Sequence, residues 1–129
     1  MKMKPGCDIL LKKSKENMSV AAELAEGQRF NAAANRLYYS LFQVAKAYAV
    51  SKNKMKMDAH VEVHRVARTV VHELVKDEGR FEDVFEDALA LRKKSDYTPV
   101  DVTANELDLN FRNKASDLRS HLERLAMSA

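Results

Sequence analysis

Between Phe30 and Val50 the chain carries two adjacent rows of apolar residues at helical spacing. Leu37, Leu41, Val44 and Tyr48 make one row; Tyr38, Phe42, Ala45 and Ala49 make the other. Together they form a stripe wider than a one-sided surface helix presents, which predicts a central helix contacted from several sides. Ala32, Ala33 and Ala34 favour helix, and their small side chains let a neighbouring backbone come close. Asn35 and Arg36 interrupt this apolar surface just before the Tyr38-Tyr39 pair. Buried polar groups need partners, and the polar run Arg92-Lys93-Lys94-Ser95-Asp96-Tyr97 is the candidate to face them.

The same periodicity predicts four more helices. Pro5-Gly6 opens a turn, and Asp8 is a candidate cap for a helix reaching about Glu26, with Ile9, Leu10, Met18, Ala21, Ala22, Leu24 and Ala25 as its apolar side. Gly27 closes it as a residue tolerant of positive φ. Ser51 to Met57 reads as a basic loop, and Asp58 is a candidate cap for a third helix over 59–76 with Val63, Val66, Ala67, Val70, Val71 and Leu74 facing in. After Asp77-Glu78-Gly79, a fourth helix is expected over 80–95, its inner face Phe81, Val84, Phe85, Ala88, Leu89 and Leu91. It should end at Tyr97-Thr98-Pro99, because the residue before proline is pushed out of the helical region. Thr103-Ala104-Asn105-Glu106 has the capping-box pattern and opens a fifth helix with Leu107, Phe111, Ala115, Leu118, Leu122 and Leu125 as its stripe. Five helices with short connections predict an all-α antiparallel bundle, with residues 1–129 as one domain. The broad apolar surfaces of the second and fourth helices leave room for a dimer contact as well.

Composition agrees: with only 3 Gly and 2 Pro, helix breakers are scarce, and no run combines β-branched enrichment with clean alternation. The net charge of +3 permits a nucleic-acid or acidic partner without demanding one. Lys12, Lys13 and Lys15 read either as a solvated face or as a phosphate-contacting patch. The single Cys7 cannot form an internal disulfide and fits a reducing compartment, as a surface or half-buried thiol. The N-terminus lacks the apolar core of a secretory signal, and no stretch approaches the roughly 20 apolar residues of a membrane span. A soluble, cytoplasmic protein is the expectation.

Four histidines raise the question of a metal. His60 and His64 share a helix face with Glu62 between them, and His72 follows, but no third ligand has a convincing spacing. No metal or cofactor is expected, and His64 reads as a structural or polar-network residue. Gly-x-Ser-x-Gly and phosphate-loop patterns are absent. Arg92 and Asp96, spaced i, i+4 in the last turn before Tyr97, can pair on one helix face. There an arginine fork could meet a phosphate while the carboxylate orients it; a structural Arg-Asp pair tied to Asn35 or Tyr39 is the other reading.

The run Gly27-Gln28-Arg29-Phe30-Asn31-x-Ala33-x-Asn35-Arg36-x-Tyr38-Tyr39-Ser40-x-Phe42 resembles the second-helix signature of HEPN-domain proteins (higher eukaryotes and prokaryotes nucleotide-binding). The match is to the small stand-alone branch with an Asn-Arg-x-Tyr-Tyr-Ala-x-Phe pattern. His64, Leu74-Val75 and Gly79 resemble that branch's third helix and turn, and Arg92-x-x-x-Asp96-Tyr97 resembles its Arg-x-x-Ala-Asp-Tyr motif. The resemblance implies a HEPN-like helical bundle, usually a homodimer, often paired with a minimal nucleotidyltransferase as a toxin–antitoxin system. Many such proteins are metal-independent ribonucleases with an Arg-x(4–6)-His motif. Arg92 matches its arginine, whereas no histidine follows until His121. By this resemblance Arg92, Asp96 and Tyr97 are the candidate catalytic residues, and Asn35, Arg36 and Tyr39 the candidate substrate-binding wall. RNA or a nucleotide is the implied ligand, and Tyr97 is also a possible acceptor for nucleotide transfer. The alternative is a non-catalytic nucleotide- or substrate-binding, or scaffold, subunit of the transferase, which accounts for the missing histidine directly.

Overall fold

The computed structural model describes residues 3–128. Five α-helices follow in order: α1 (Cys7–Glu26), α2 (Phe30–Ser51), α3 (Val63–Val75), α4 (Val84–Tyr97) and α5 (Leu109–Met127), with a short 3₁₀ turn at Gly79–Phe81. No strand occurs among the described residues, so the all-α expectation holds. The doubled apolar row of α2 has the consequence its width predicts. This helix buries residues on nearly every side, from Ala33 to Val50, and packs against α1, α3, α4 and α5.

The α1–α2 contact depends on small residues. Ser14 Oγ donates to the Ser40 carbonyl at 2.7 Å, and Ser40 Oγ donates to the Ser14 carbonyl at 2.6 Å, both fully buried. Each hydroxyl satisfies itself on the backbone of the opposite helix, which requires the two backbones to run close together. Ala21, Ala25, Ala33 and Ala47 are buried in the same core. Cys7 lies at the end of this seam with no exposure, its Sγ directed at the Ala47 carbonyl. The surface or half-buried thiol of the sequence reading is therefore corrected to a buried one, and burial pushes its pKa up.

Several helix ends differ from expectation. Asp8 does not cap α1; Gly6 does, at φ 86°, a left-handed conformation that glycine adopts without a Cβ penalty. At the other end Gly27 has φ −82°, and Gln28 takes the left-handed position at φ 62°. The Arg29 N–H then bonds to the Leu24 carbonyl and the Gln28 N–H to that of Ala25, a Schellman closure displaced by one residue. Asn53 closes α2 in the same way.

α3 begins at Val63 rather than Ala59, and Asp58 is not its cap. Val61 is 80% exposed and His60 also faces solvent, so these two residues pack against nothing. A helix turn without tertiary packing has little to stabilise it. The expected fourth helix is broken at Asp83, φ 63°. The break sends Phe81 against His121 of α5, with ring centroids 5.1 Å apart, while Phe85 meets Tyr38 of α2 at 5.6 Å. α4 then runs to Tyr97, and Thr98 is extended before Pro99.

The capping box forms, but it closes a turn instead of opening α5. The Thr103 N–H donates to Glu106 Oε1 (3.0 Å) and the Glu106 N–H to Thr103 Oγ1 (3.2 Å), while Asp108 caps α5 through the Phe111 N–H. Glu106 also accepts from Lys94 Nζ at 2.7 Å, tying this turn to α4. The Lys94 hydrogen bond, then that of the Thr103 backbone, holds the Glu106 carboxyl below its ordinary pKa. A carboxylate with a depressed folded-state pKa contributes stability above its unfolded value, about 4.3, that is lost as pH falls through the folded value. Urea midpoints should therefore fall on acidification below about pH 4.3, and Glu106→Gln should lessen that loss; an unchanged profile would show that the contact contributes nothing.

Candidate functional site

The C-terminal turn of α4 lies across the N-terminal half of α2, and this crossing assembles the polar residues that α2 exposes there. Arg92 projects from α4 over three aromatic rings. Its guanidinium carbon lies 5.3 Å from the Tyr39 ring centroid, 5.5 Å from that of Tyr97 and 5.6 Å from that of Tyr38. Arg92 Nη2 donates to the hydroxyls of Tyr39 (3.0 Å) and Tyr97 (3.3 Å). With only 15% of its side chain exposed, the arginine is fixed as a planar fork rather than left as a mobile surface charge.

Asp96 stands one turn further along α4. Its Oδ2 lies 3.3 Å from Arg92 Nε, yet that N–H is not aimed at it, and Nε is buried without a hydrogen bond. The contact is an ion pair by proximity, and the carboxylate finds its directed partners elsewhere. Asn35 Nδ2 donates to Asp96 Oδ2 at 3.1 Å, and Ser95 Oγ to Oδ1 at 3.1 Å. Asn35 thus meets the polar partner its position predicts.

Five of the six candidate residues, Asn35, Tyr39, Arg92, Asp96 and Tyr97, come together. Arg36 does not: it faces solvent and makes no hydrogen bond to any described residue. The step of about 100° between consecutive helical residues carries Asn35 toward α4 and Arg36 away from it. Tyr97 is 70% exposed, an aromatic ring open to solvent beside a guanidinium.

The structure adds two residues to this group. Tyr38, an apolar-row residue by spacing, is fully buried, and its hydroxyl pairs with His64 Nδ1 of α3 at 2.7 Å. The imidazole stacks on Phe42 at 4.3 Å and packs near Tyr38 and Tyr39 at 5.7 and 6.3 Å. Burial, partly opposed by Arg92, pushes the Tyr38 phenol up to about 12, so it keeps its proton. Nδ1 is the only hydrogen-bond partner of this hydroxyl among the described residues, and a buried O–H must donate. The phenol therefore donates to Nδ1, and a neutral His64 carries its own proton on Nε2. The lack of a third metal ligand left His64 as a structural or polar-network residue in the sequence reading; its arrival beside Arg92 had no local signal.

Burial first, and the Arg92 charge second, lower the His64 pKa. A histidine whose folded pKa lies below its unfolded one, about 6.5, contributes stability that is full above that value and declines as pH falls toward the folded pKa. His121 shifts in the same direction, also through burial. Histidine ring resonances followed from pH 8 to 5 should show His64 titrating below the ordinary imidazole value of about 6.5; a His64 midpoint at or above that value would contradict the packing described here.

Among the described residues no three His, Cys, Asp or Glu side chains converge on a point that could hold a metal ion. None of the described helices is long and apolar enough to cross a membrane. No curated protein and no solved structure matches the chain. A model of the HEPN domain matches residues 7–126, from the first residue of α1 to the last turn of α5. With nearly the whole helical bundle inside that match, the chain belongs to the HEPN-domain family.

Proposed function

We propose that this protein acts on RNA through the Arg92 site, as the HEPN member of a toxin–antitoxin-like pair with a minimal nucleotidyltransferase. The observation that carries the reading is the presentation of Arg92. Two tyrosine hydroxyls orient its Nη2, while Nη1 bonds to no described residue and is not among the buried unpaired atoms. A largely buried, pre-oriented guanidinium with a free N–H edge suits a phosphate oxygen. Exposed Tyr97 beside it offers a ring on which an unpaired base can stack, as single-stranded nucleic-acid sites commonly do.

If the bound RNA is cleaved, Arg92 stabilises charge developing on the phosphate, and Asn35 holds Asp96 to keep the guanidinium in place. Asp96 and Tyr97 are then the remaining candidates for proton transfer. The second reading, a non-catalytic binding or scaffold subunit of the transferase, draws support from His64. Its Nδ1 is committed to Tyr38, so the nearest imidazole has no free basic nitrogen to accept a proton. Purified wild type and Arg92→Ala, incubated with single-stranded RNA in EDTA, separate the two. Cleavage by wild type alone establishes the ribonuclease, and RNA binding without cleavage selects the binding subunit. Neither binding nor cleavage by wild type overturns the proposal.

A further inference from the structure

His64 comes from α3, outside the α2–α4 crossing that holds Arg92, yet it packs on the same tyrosine pair. Tyr38 and Tyr39 have ring centroids 5.6 Å apart, and both the imidazole and the guanidinium rest against these two rings. Phe42 stacks on the imidazole and limits its tilt, while the Tyr38 hydroxyl fixes which nitrogen carries the proton. His64 Nε2 has no partner among the described residues, and the half-buried ring leaves it outside the set of buried unpaired atoms, so its N–H opens to solvent. A structural histidine needs one satisfied nitrogen and a packed ring. Here the second nitrogen is left as an unpartnered donor on the same tyrosine pair that carries Arg92.

We infer that His64 is a second phosphate-binding residue of the Arg92 site, donating from Nε2 to a phosphate oxygen while Tyr38 holds the ring in that tautomer. Three elements then build the site: α2 supplies the tyrosine platform, α4 the guanidinium and α3 the imidazole. The ligand is a phosphate group carried by single-stranded RNA or by a free nucleotide. His64 acts by hydrogen bonding, and Tyr38 is a positioning residue. The inference rests on the phosphate-binding role proposed for Arg92.

Binding of a short oligouridylate and of 5′-AMP to wild type, His64→Phe, His64→Gln and Arg92→Ala tests it. Phenylalanine keeps the stack on Phe42 and removes the donor; it should weaken binding about tenfold, the effect of losing one hydrogen bond to a charged group. Glutamine can place an amide N–H near the Nε2 position and should recover part of that loss. A loss with oligouridylate alone assigns the phosphate to RNA, and a loss with both probes to the phosphate group in general; each supports the inference. Nitrogen NMR of wild type should show the His64 proton on Nε2 and a shift of that nitrogen on saturation with oligouridylate. This readout remains decisive if His64→Phe fails to fold. A proton on Nδ1, an unmoved Nε2 resonance, or wild-type affinity in a folded His64→Phe would overturn the inference. Binding lost in Arg92→Ala yet intact in His64→Phe would sink the histidine role and leave the arginine role standing. No binding by wild type would remove both.

Discussion

Arg92→Ala should lower the affinity for single-stranded RNA by about ten- to a hundredfold while leaving a folded helical protein. The estimate is that of a charged hydrogen bond to phosphate, about 1.5–3 kcal/mol. Alanine also removes the contacts with the rings of Tyr38, Tyr39 and Tyr97 and leaves Asp96 without its cation. A stability loss of about 1–2 kcal/mol should accompany the binding defect. Arg92→Lys distinguishes the two losses. Lysine keeps the charge near Asp96 and the rings but cannot present a planar fork through two tyrosine hydroxyls to a third partner. It should recover most of the stability and little of the affinity. Fluorescence anisotropy over a salt series adds an independent reading, because losing one phosphate contact should reduce the single-strand salt slope by about 0.7. RNA affinity and slope unchanged in folded Arg92→Ala would place RNA binding elsewhere and reduce the Arg92 cluster to a structural tie between α2 and α4.

The largest stability effect is expected at the α1–α2 seam, where Ser40 follows Tyr39 in sequence but faces Ser14 of α1. Ser40→Leu should destabilise the protein by about 3–5 kcal/mol, combining a lost buried hydrogen bond with overpacking where two helices meet. Ser40 is fully buried, donates to the Ser14 carbonyl and accepts on its own carbonyl from Ser14 Oγ. Leucine removes the first bond and forces the helices apart, which strains the second. Ser40→Ala removes the bond without adding volume and should cost about 1–2 kcal/mol. Ala22→Leu, on the solvent side of α1, should change stability by no more than about 0.5 kcal/mol. Urea denaturation at constant m measures all three. Equal effects of Ser40→Leu and Ser40→Ala would mean that the seam has room to spare, against the reciprocal serine bonds.

α2 was legible because its information is local. Two apolar rows at helical spacing specify both the helix and its burial on several sides, whatever its neighbours are. The stop before Pro99 was equally local, since a steric clash between adjacent residues sets it. The start of α3 was not. Residues 59–62 carry no helix breaker, and what ends the helix there is that His60 and Val61 pack against nothing, a fact about other parts of the chain. The break at Asp83 is of the same kind, since it lets Phe81 reach His121 of α5 while Phe85 meets Tyr38 of α2.

In the site the division follows sequence distance. Arg92 and Asp96 lie one helical turn apart, so their pairing could be read from spacing alone, and Asn35, polar within an apolar stripe, announced that it needed a partner. Arg36 could not be separated from Asn35 by residue type; the direction in which α4 crosses α2 decides that one faces Asp96 and the other faces water. His64 and Tyr38 are the clearest case of what local pattern leaves open. Their meeting at 2.7 Å depends on how α3 docks against α2. The sequence by itself determined the helices, the central place of α2, the Arg92-Asp96 pair and the family, because each rests on residues near in sequence or on a motif. Tertiary structure alone decided which helix ends survive, which polar residues face inward, and that an imidazole from α3 joins the arginine, because long-range packing orients the helices.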